Sequence, residues 1–267
     1  MIRDALDLVP RLRAARDHSG SLLLGLDFDG TLAPIVPWPG DAALPAALRP
    51  VLESLARRAD TRVALISGRA LRDLAERVGI DGVYYAGNHG LEIEGPGVHR
   101  VHPAAEAGRS RMATLAEQLR QVLAPLDPDS RTWVEDKGLT LSVHYRQVHD
   151  EAGAELVRST VRDRTRAEPD LRVTDGRKVV EIRPDVDWHK GRALRFLRDT
   201  LEARHGAAPA VFIGDDRTDE DAFRELGGND FAIVVGDPPP ADTAAPAFLR
   251  GTGDVAEFLR RLAGPHA

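Results

Sequence analysis

The chain contains no cysteine. That absence removes disulfides, thiolate zinc sites, iron–sulfur clusters and a thiol nucleophile together, so any metal must be held by oxygen or imidazole. Long apolar runs are also missing. The nearest, Leu22–Leu26, is interrupted by Gly25 and followed by Asp27, well short of the ~20 apolar residues of a membrane span. Met1 to Gly20 carries charges throughout and has no apolar core of a secretion signal, from which a cytoplasmic location and no membrane partner are expected. An excess of base is lacking too, since 42 acidic residues face 36 basic ones and leave a net charge of −6. Nucleic acids and anionic membranes both require a basic face, so neither is an expected partner. Within the basic set lysine is scarce, occurring only at Lys137, Lys178 and Lys190. In such a chain a lysine in place of an arginine carries information.

What is present is a chain of 267 residues with 42 % hydrophobic and 29 % charged side chains, enough apolar material for a packed core. At ~150 residues per domain this length fits one enlarged domain or two modest ones. From residue 21 short apolar runs alternate with helical stretches: strand Leu22–Leu26, helix Pro45–Arg58, strand Arg62–Ile66, helix Ala70–Val78 and strand Val83–Ala86. The alternation resumes with helix Gly191–Arg204, strand Ala210–Ile213, helix Glu220–Leu226, strand Phe231–Val235 and helix Asp254–Leu262. Both stretches predict one doubly wound α/β fold, a parallel sheet with helices on its two faces.

Between them the grammar changes. A helical segment ending near Pro125 precedes strands Thr132–Asp136 and Leu139–Tyr145, joined by a turn at Lys137-Gly138. A charged helix, Glu151–Arg166, then leads to two strands around a turn at Asp175-Gly176. This order predicts an inserted α/β domain, an antiparallel sheet with helices on one face. In Leu139–Arg146 the residues Leu139, Leu141, Val143 and Tyr145 alternate with Thr140, Ser142, His144 and Arg146, so one face should pack and the other should be wet. Glu135 with Lys137, and Glu181 with Arg183, join His144 and Arg146 on that second face. A solvated sheet surface is one reading; a set of acids and bases for sugar hydroxyls is the other.

The chemistry is concentrated at strand ends. Asp27-Phe28-Asp29-Gly30-Thr31 follows the first strand, and the carboxyl ends of strands are where open α/β sheets place ligands. Two carboxylates so close repel unless a cation or hydrogen bonds compensate, while Gly30 and Thr31 let the backbone turn and offer amides to a phosphate. Ser67-Gly68-Arg69 ends the second strand, with Ser67 either a phosphate ligand or a plain helix cap. Gly214-Asp215-Asp216-Arg217-Thr218-Asp219-Glu220-Asp221 ends a later strand of the same sheet. Such an acidic, all-oxygen cluster suits a hard cation, and magnesium is the expected cofactor. Lys190 opens the helix that returns from the insertion, a compact charge able to pair with both a nucleophilic aspartate and a phosphoryl oxygen.

In this order the four segments resemble the motifs of the haloacid-dehalogenase superfamily of aspartate-nucleophile phosphatases. Gly87-Asn88-His89-Gly90-Leu91-Glu92, the stretch from Val134 to Arg146, and Glu181 to Gly191 further resemble its trehalose-6-phosphate phosphatase family. The resemblance implies a phosphatase core at residues 1–103 and 184–267 and an inserted cap at residues 104–183 that selects the substrate. It implies catalysis by Asp27 as nucleophile, Asp29 as acid and base, and Lys190. A magnesium ion would be held by Asp27, the main-chain carbonyl of Asp29, and Asp215, with Asp216 and Asp219 in support. Phosphate would meet Gly30, Thr31, Ser67 and Gly68. The sugar would meet Asn88, His89, Glu135, Lys137, His144, Arg146, Glu181 and Arg183. The expected partner is a small sugar phosphate, and a monomer is expected. Alternatives are a sibling sugar phosphatase acting on sucrose phosphate or mannosyl-glycerate phosphate, and a non-catalytic sugar-phosphate sensor. A phosphomutase is disfavoured because only one helix and one strand precede Ser67, and a transport ATPase because position 29 is Asp.

Overall fold

The computed structural model describes residues 2–127, 129, 131–176 and 178–264. The chain divides into two compact units, Met1–Arg100 with Trp188–Ala267, and Val101–Asp187. Its elements begin with β1 (Arg3–Asp4), α1 (Val9–Ser19), β2 (Leu22–Leu26), α2 (Arg49–Arg57) and β3 (Thr61–Ile66). They continue with α3 (Leu71–Val78), β4 (Tyr84–Gly87), β5 (Glu92–Gly95), β6 (Val98–Val101) and α4 (Pro103–Leu123). Next come β7 (Trp133–Asp136), β8 (Leu141–His144), α5 (Glu151–Thr165), β9 (Leu171–Gly176) and β10 (Val179–Pro184). The chain closes with α6 (Lys190–His205), β11 (Ala210–Gly214), α7 (Glu220–Glu225), β12 (Phe231–Val235), β13 (Ala247–Leu249) and α8 (Thr252–Ala263).

Among the described residues the first unit carries a nine-stranded sheet in the order β1-β13-β12-β11-β2-β3-β4-β5-β6. Its strands run parallel from β1 to β4. Every residue of β2 and β11 is buried, which is why both read as continuous apolar runs rather than alternating ones. The two faces separate by parity. Leu22, Leu24, Leu26, Val63, Leu65, Val211 and Ile213 pack with residues of α1, α2, α3 and α8. Leu23, Ala64, Ile66, Ala210 and Phe212 pack against α6 and α7. The expected doubly wound sheet is therefore the observed one, with helices on both faces.

Some expectations shift. The helix expected from Pro45 begins at Arg49, because Pro45 closes a turn with Leu48 and Pro50 sits in the first helical turn, where its missing N–H is tolerated. The parallel sheet also has an antiparallel edge, β4 with β5, and short outer strands that the apolar pattern does not announce.

The second unit holds a four-stranded antiparallel sheet in the order β7-β8-β10-β9. Leu141, Val143, Val180 and Ile182 face Met112, Leu115 and Leu119 of α4 and Val157 and Val161 of α5, so helices cover one face as expected. The turn expected at Asp175-Gly176 moves on, since Gly176 still pairs with Val179; residue 177 lies outside the described residues. A larger correction concerns the face expected to be wet. Thr140, Ser142 and His144 are buried, because long side chains flank them: Ser142 sits in register between Glu135 and Glu181, and His144 lies under Trp133.

Candidate active site

In the first unit, four loops at the carboxyl ends of parallel strands bring together residues far apart in sequence. Lys190, at the start of α6 and 2 % exposed, donates from Nζ to Asp27 Oδ1 at 2.9 Å and to Asp219 Oδ1 at 2.8 Å. Asp219 is fully buried, and its other oxygen accepts the backbone N–H groups of Asp215 and Asp216 at 3.0 Å each. Asp216 in turn accepts from the N–H and hydroxyl of Thr218. The acidic loop is thus folded around one buried carboxylate, which fixes where Asp215 stands.

Electrostatics follow from this crowding. Burial, with the charges of Asp215 and Asp216 adding to it, pushes the Asp27 carboxyl up to about 8 against the pull of Lys190. Burial and the neighbouring Asp219 and Asp216 push Asp215 up to about 7. Asp216 goes the other way, to about 2, because Lys190 and the Thr218 hydrogen bond outweigh the partial loss of water around it. Lys190 is raised well above its ordinary value, since Asp219 and Asp27 outweigh its desolvation. A site that makes its own carboxylates expensive to ionise has the chemistry of one completed by a cation. Asp27, Asp215 and Asp219 each offer an oxygen, all within 4.8 Å of one another, and the donors are hard oxygens, so the residues present fit a small divalent ion.

The side chain of Asp29 stands outside that trio. Both of its oxygens are held by Arg69, at 2.6 Å from Nε and 2.7 Å from Nη2. Arg69 is itself fixed by Asp73 at 2.7 Å, by the carbonyl of Pro39 at 2.9 Å and by the ring of Phe28 beneath it. Sequence reasoning assigned Arg69 no role. A signal was available, because Arg69, just before α3, and Asp73 and Arg77 within it recur every four residues, and Arg77 bonds Asp73 as well.

Gly30 takes a left-handed φ of 81°, and a Cβ there would lie 2.1 Å from Asp215 Oδ2. It gives room to the acidic loop. Its N–H, expected to face phosphate, is donated to Ala33 at 2.7 Å, so that expectation is replaced by a spacing role. Thr31 is fully buried, with its hydroxyl 3.4 Å from Asp215. Ser67 is not a helix cap: the residue at that position is Ala70, and the N–H of Leu71 goes to Glu92. The Ser67 hydroxyl accepts from Arg69 N at 3.3 Å and still has its own proton to donate. Asn88, expected at the sugar, is fully buried and donates to Glu92 at 2.7 Å; the neighbouring His89 packs on Gly68.

In the second unit the expected sugar residues share one sheet face. His144 contacts Glu135 at 2.7 Å and stacks on Trp133 with ring centroids 4.4 Å apart. Lys137 approaches Glu181 at 3.8 Å. Arg183 pairs across β9 with Arg172, whose charge is met by Asp185. Arg146 is half-buried just beyond β8. Among the described residues no helix is long and apolar enough to cross a membrane.

Comparison with known proteins bears on this geometry. The trehalose-phosphatase family profile matches residues 25–246. A trehalose-phosphate phosphatase of Mycobacterium marinum is 41 % identical over 242 residues, covering 89 % of this chain and 60 % of that protein. Trehalose 6-phosphate phosphatase RA3 of Zea mays is 37 % identical over 268 residues, covering 95 % of this chain and 72 % of its own length. The chain thus spans about three fifths of the mycobacterial relative. Among solved structures, the C-terminal domain of C. albicans trehalose-6-phosphate phosphatase superposes with a TM-score of 0.76 at 23 % identity, covering 98 % of each chain, a likeness of fold.

Proposed function

The chain belongs to the trehalose-phosphatase family, and from that premise we propose that it hydrolyses trehalose 6-phosphate to trehalose and inorganic phosphate. The observation that carries the reading is the buried Lys190 joined at once to Asp27 and Asp219. Nothing in packing requires a lysine there, whereas a nucleophilic carboxylate beside a dianionic ester does.

Lys190 occupies Asp27 Oδ1, which leaves Oδ2 to attack phosphorus. As that O–P bond forms, the P–O bond to the sugar breaks, its electron pair moves to the sugar oxygen, and Asp29 supplies the proton. Asp29 then takes a proton from water, whose oxygen attacks the aspartyl-phosphate and frees Asp27 and phosphate. Arg69 keeps Asp29 directed, with one carboxyl oxygen leaving the guanidinium to carry the proton. Ser67 and the Gly68 amide hold the transferring group, with Thr31 and Gly30 shaping the loop beneath it. Magnesium is the ion we assign, held by Asp27, the Asp29 carbonyl and Asp215, with Asp219 in support; when bound it offsets the negative charge of ester and carboxylates. Uncatalysed phosphate ester hydrolysis is among the slowest reactions, with enzymatic accelerations up to ~10²¹, so extensive charge neutralisation is required.

We assign residues 104–183 as the cap and substrate choice to Glu135, Lys137, His144, Arg146, Glu181 and Arg183; Asn88 and His89, turned to Glu92 and Gly68, are left out of that set. Charged pairs of this kind suit a disaccharide's hydroxyls and reject analogues that leave them unpaired. The test is phosphate release from trehalose 6-phosphate against sucrose and glucose 6-phosphates, with and without EDTA. Preference for the trehalose ester, lost with EDTA, is the expected result; preference for another sugar ester moves the assignment to a sibling enzyme, and no release from any ester defeats it.

A further inference from the structure

Between β4 and β5 the backbone does something side-chain-bearing residues rarely do. Asn88 and His89 both take left-handed φ values, 51° and 57°, followed by Gly90 at 87°. Such conformations persist only when the surroundings over-determine them, and they cluster where function needs them.

The surroundings here are specific. Asn88 Nδ2 donates to Glu92 Oε1 at 2.7 Å, and the same oxygen accepts the N–H of Leu71 at 3.3 Å. Trp188 Nε1 donates to the carbonyl of Gly90 at 2.7 Å, while the Arg100 guanidinium lies 3.9 Å over the Trp188 ring. Trp188 and Glu92 therefore clamp the turn from its two ends.

What the clamped turn does is equally specific. His89 N donates to the carbonyl of Ser67 at 2.9 Å, and Asn88 N donates to that of Arg69 at 2.7 Å. The His89 ring lies so close to Gly68 that a Cβ there would come within 2.8 Å of it. A peptide unit is planar and trans, so the carbonyl of Ser67 and the N–H of Gly68 belong to one rigid plate and point in opposite directions. Pinning the carbonyl aims the amide.

We infer that Glu92 and Trp188 are positioning residues that, through the left-handed Asn88-His89 turn, aim the Gly68 amide at the transferring phosphoryl group. The inference rests on the phosphatase reading above. It explains two stretches that the cation site leaves without a task, Gly87 to Glu92 and Trp188, and it places their effect on phosphate rather than on sugar.

The test compares Trp188→Phe, which keeps an aromatic ring and removes the N–H donor, with Glu92→Ala and the conservative Glu92→Gln. Calorimetric binding of inorganic phosphate with magnesium present is measured beside kcat/KM on trehalose 6-phosphate and on a small aryl phosphate, and beside Tm. Trp188→Phe and Glu92→Ala should each weaken phosphate binding about tenfold and lower kcat/KM by a similar factor on both esters, with Tm nearly unchanged. Glu92→Gln should recover to within about twofold of the unaltered protein, since its amide oxygen accepts the same two bonds. If Trp188→Phe fails to fold, the Glu92 pair decides. Unchanged phosphate binding with a lowered Tm, or a loss confined to the sugar ester, overturns the inference while leaving the phosphatase reading intact. Unaltered protein that neither binds phosphate nor releases it from any ester defeats both.

Discussion

The acidic site of the first unit and the charged sheet face of the second use the same residue types in opposite ways. In the first, the functional side chains sit on loops or at a helix start beside their motif neighbours, and three carboxylates have a short cationic partner: Lys190 for Asp27 and Asp219, Arg69 for Asp29. In the second, charges alternate along strands and meet across registers, Glu135 with His144 and Lys137 with Glu181. The first arrangement suits chemistry, which needs fixed charge in a dry place. The second suits recognition, in which many moderate contacts sum over a large polar ligand.

Substitutions should separate the two regions. The largest effect is expected for Asp27→Asn, which removes the proposed nucleophile: turnover of every ester should fall by roughly 10⁴-fold or more with the circular dichroism spectrum retained. Substantial residual turnover in that variant counts against covalent catalysis. Next, Glu135→Ala or Arg183→Ala should lower kcat/KM on trehalose 6-phosphate by about 10- to 100-fold, the range of a lost charged hydrogen bond, while sparing a small aryl phosphate. Equal losses on both substrates would erase the distinction between the regions.

A smaller loss, about tenfold, is expected for Arg69→Ala, and it should fall on both substrates, since the role proposed for Asp29 serves either leaving group. In an Asp29→Asn background the same change should cost little further, and additive losses would separate Arg69 from Asp29.

The smallest effect is on stability. Asp27 and Asp215 hold their protons up to about 8 and about 7 in the folded chain, against 3.8 as their ordinary value. Raised carboxyls contribute stability at low pH that is lost as pH climbs through the folded values. The Tm of EDTA-treated protein should therefore drop, on the order of 5 °C, between about pH 5 and about pH 8, and added magnesium should reverse the drop. A Tm that rises over this window would place the shifts in the wrong direction.

Much of this was legible in the chain itself. Leu22–Leu26 and Phe231–Val235 were found with their observed bounds, because strands buried on both faces read as unbroken apolar runs. The motifs at Asp27, Ser67 and Asp215 were legible because loops at strand ends keep their polar residues adjacent in sequence, and Lys190 because lysine is scarce in this chain. The outer strands β1, β5, β6 and β13 were not, being only two to four residues long, and β1 pairs with β13 across almost the whole chain. Nor was the burial of Ser142 and His144, since period-two alternation reports which face a side chain shares and says nothing of what lies above it.

Sequence alone settled the alternation of strands and helices, the all-oxygen character of the donors and the scarcity that marks Lys190, because these are properties of composition and local period. Tertiary structure alone decided that Lys190 would meet Asp27 and Asp219, that Arg69 would hold Asp29, and that Trp188 would reach Gly90. Those outcomes depend on which groups from distant segments arrive within about 3 Å of one another, the reach of a hydrogen bond, and a reach so short is set by packing.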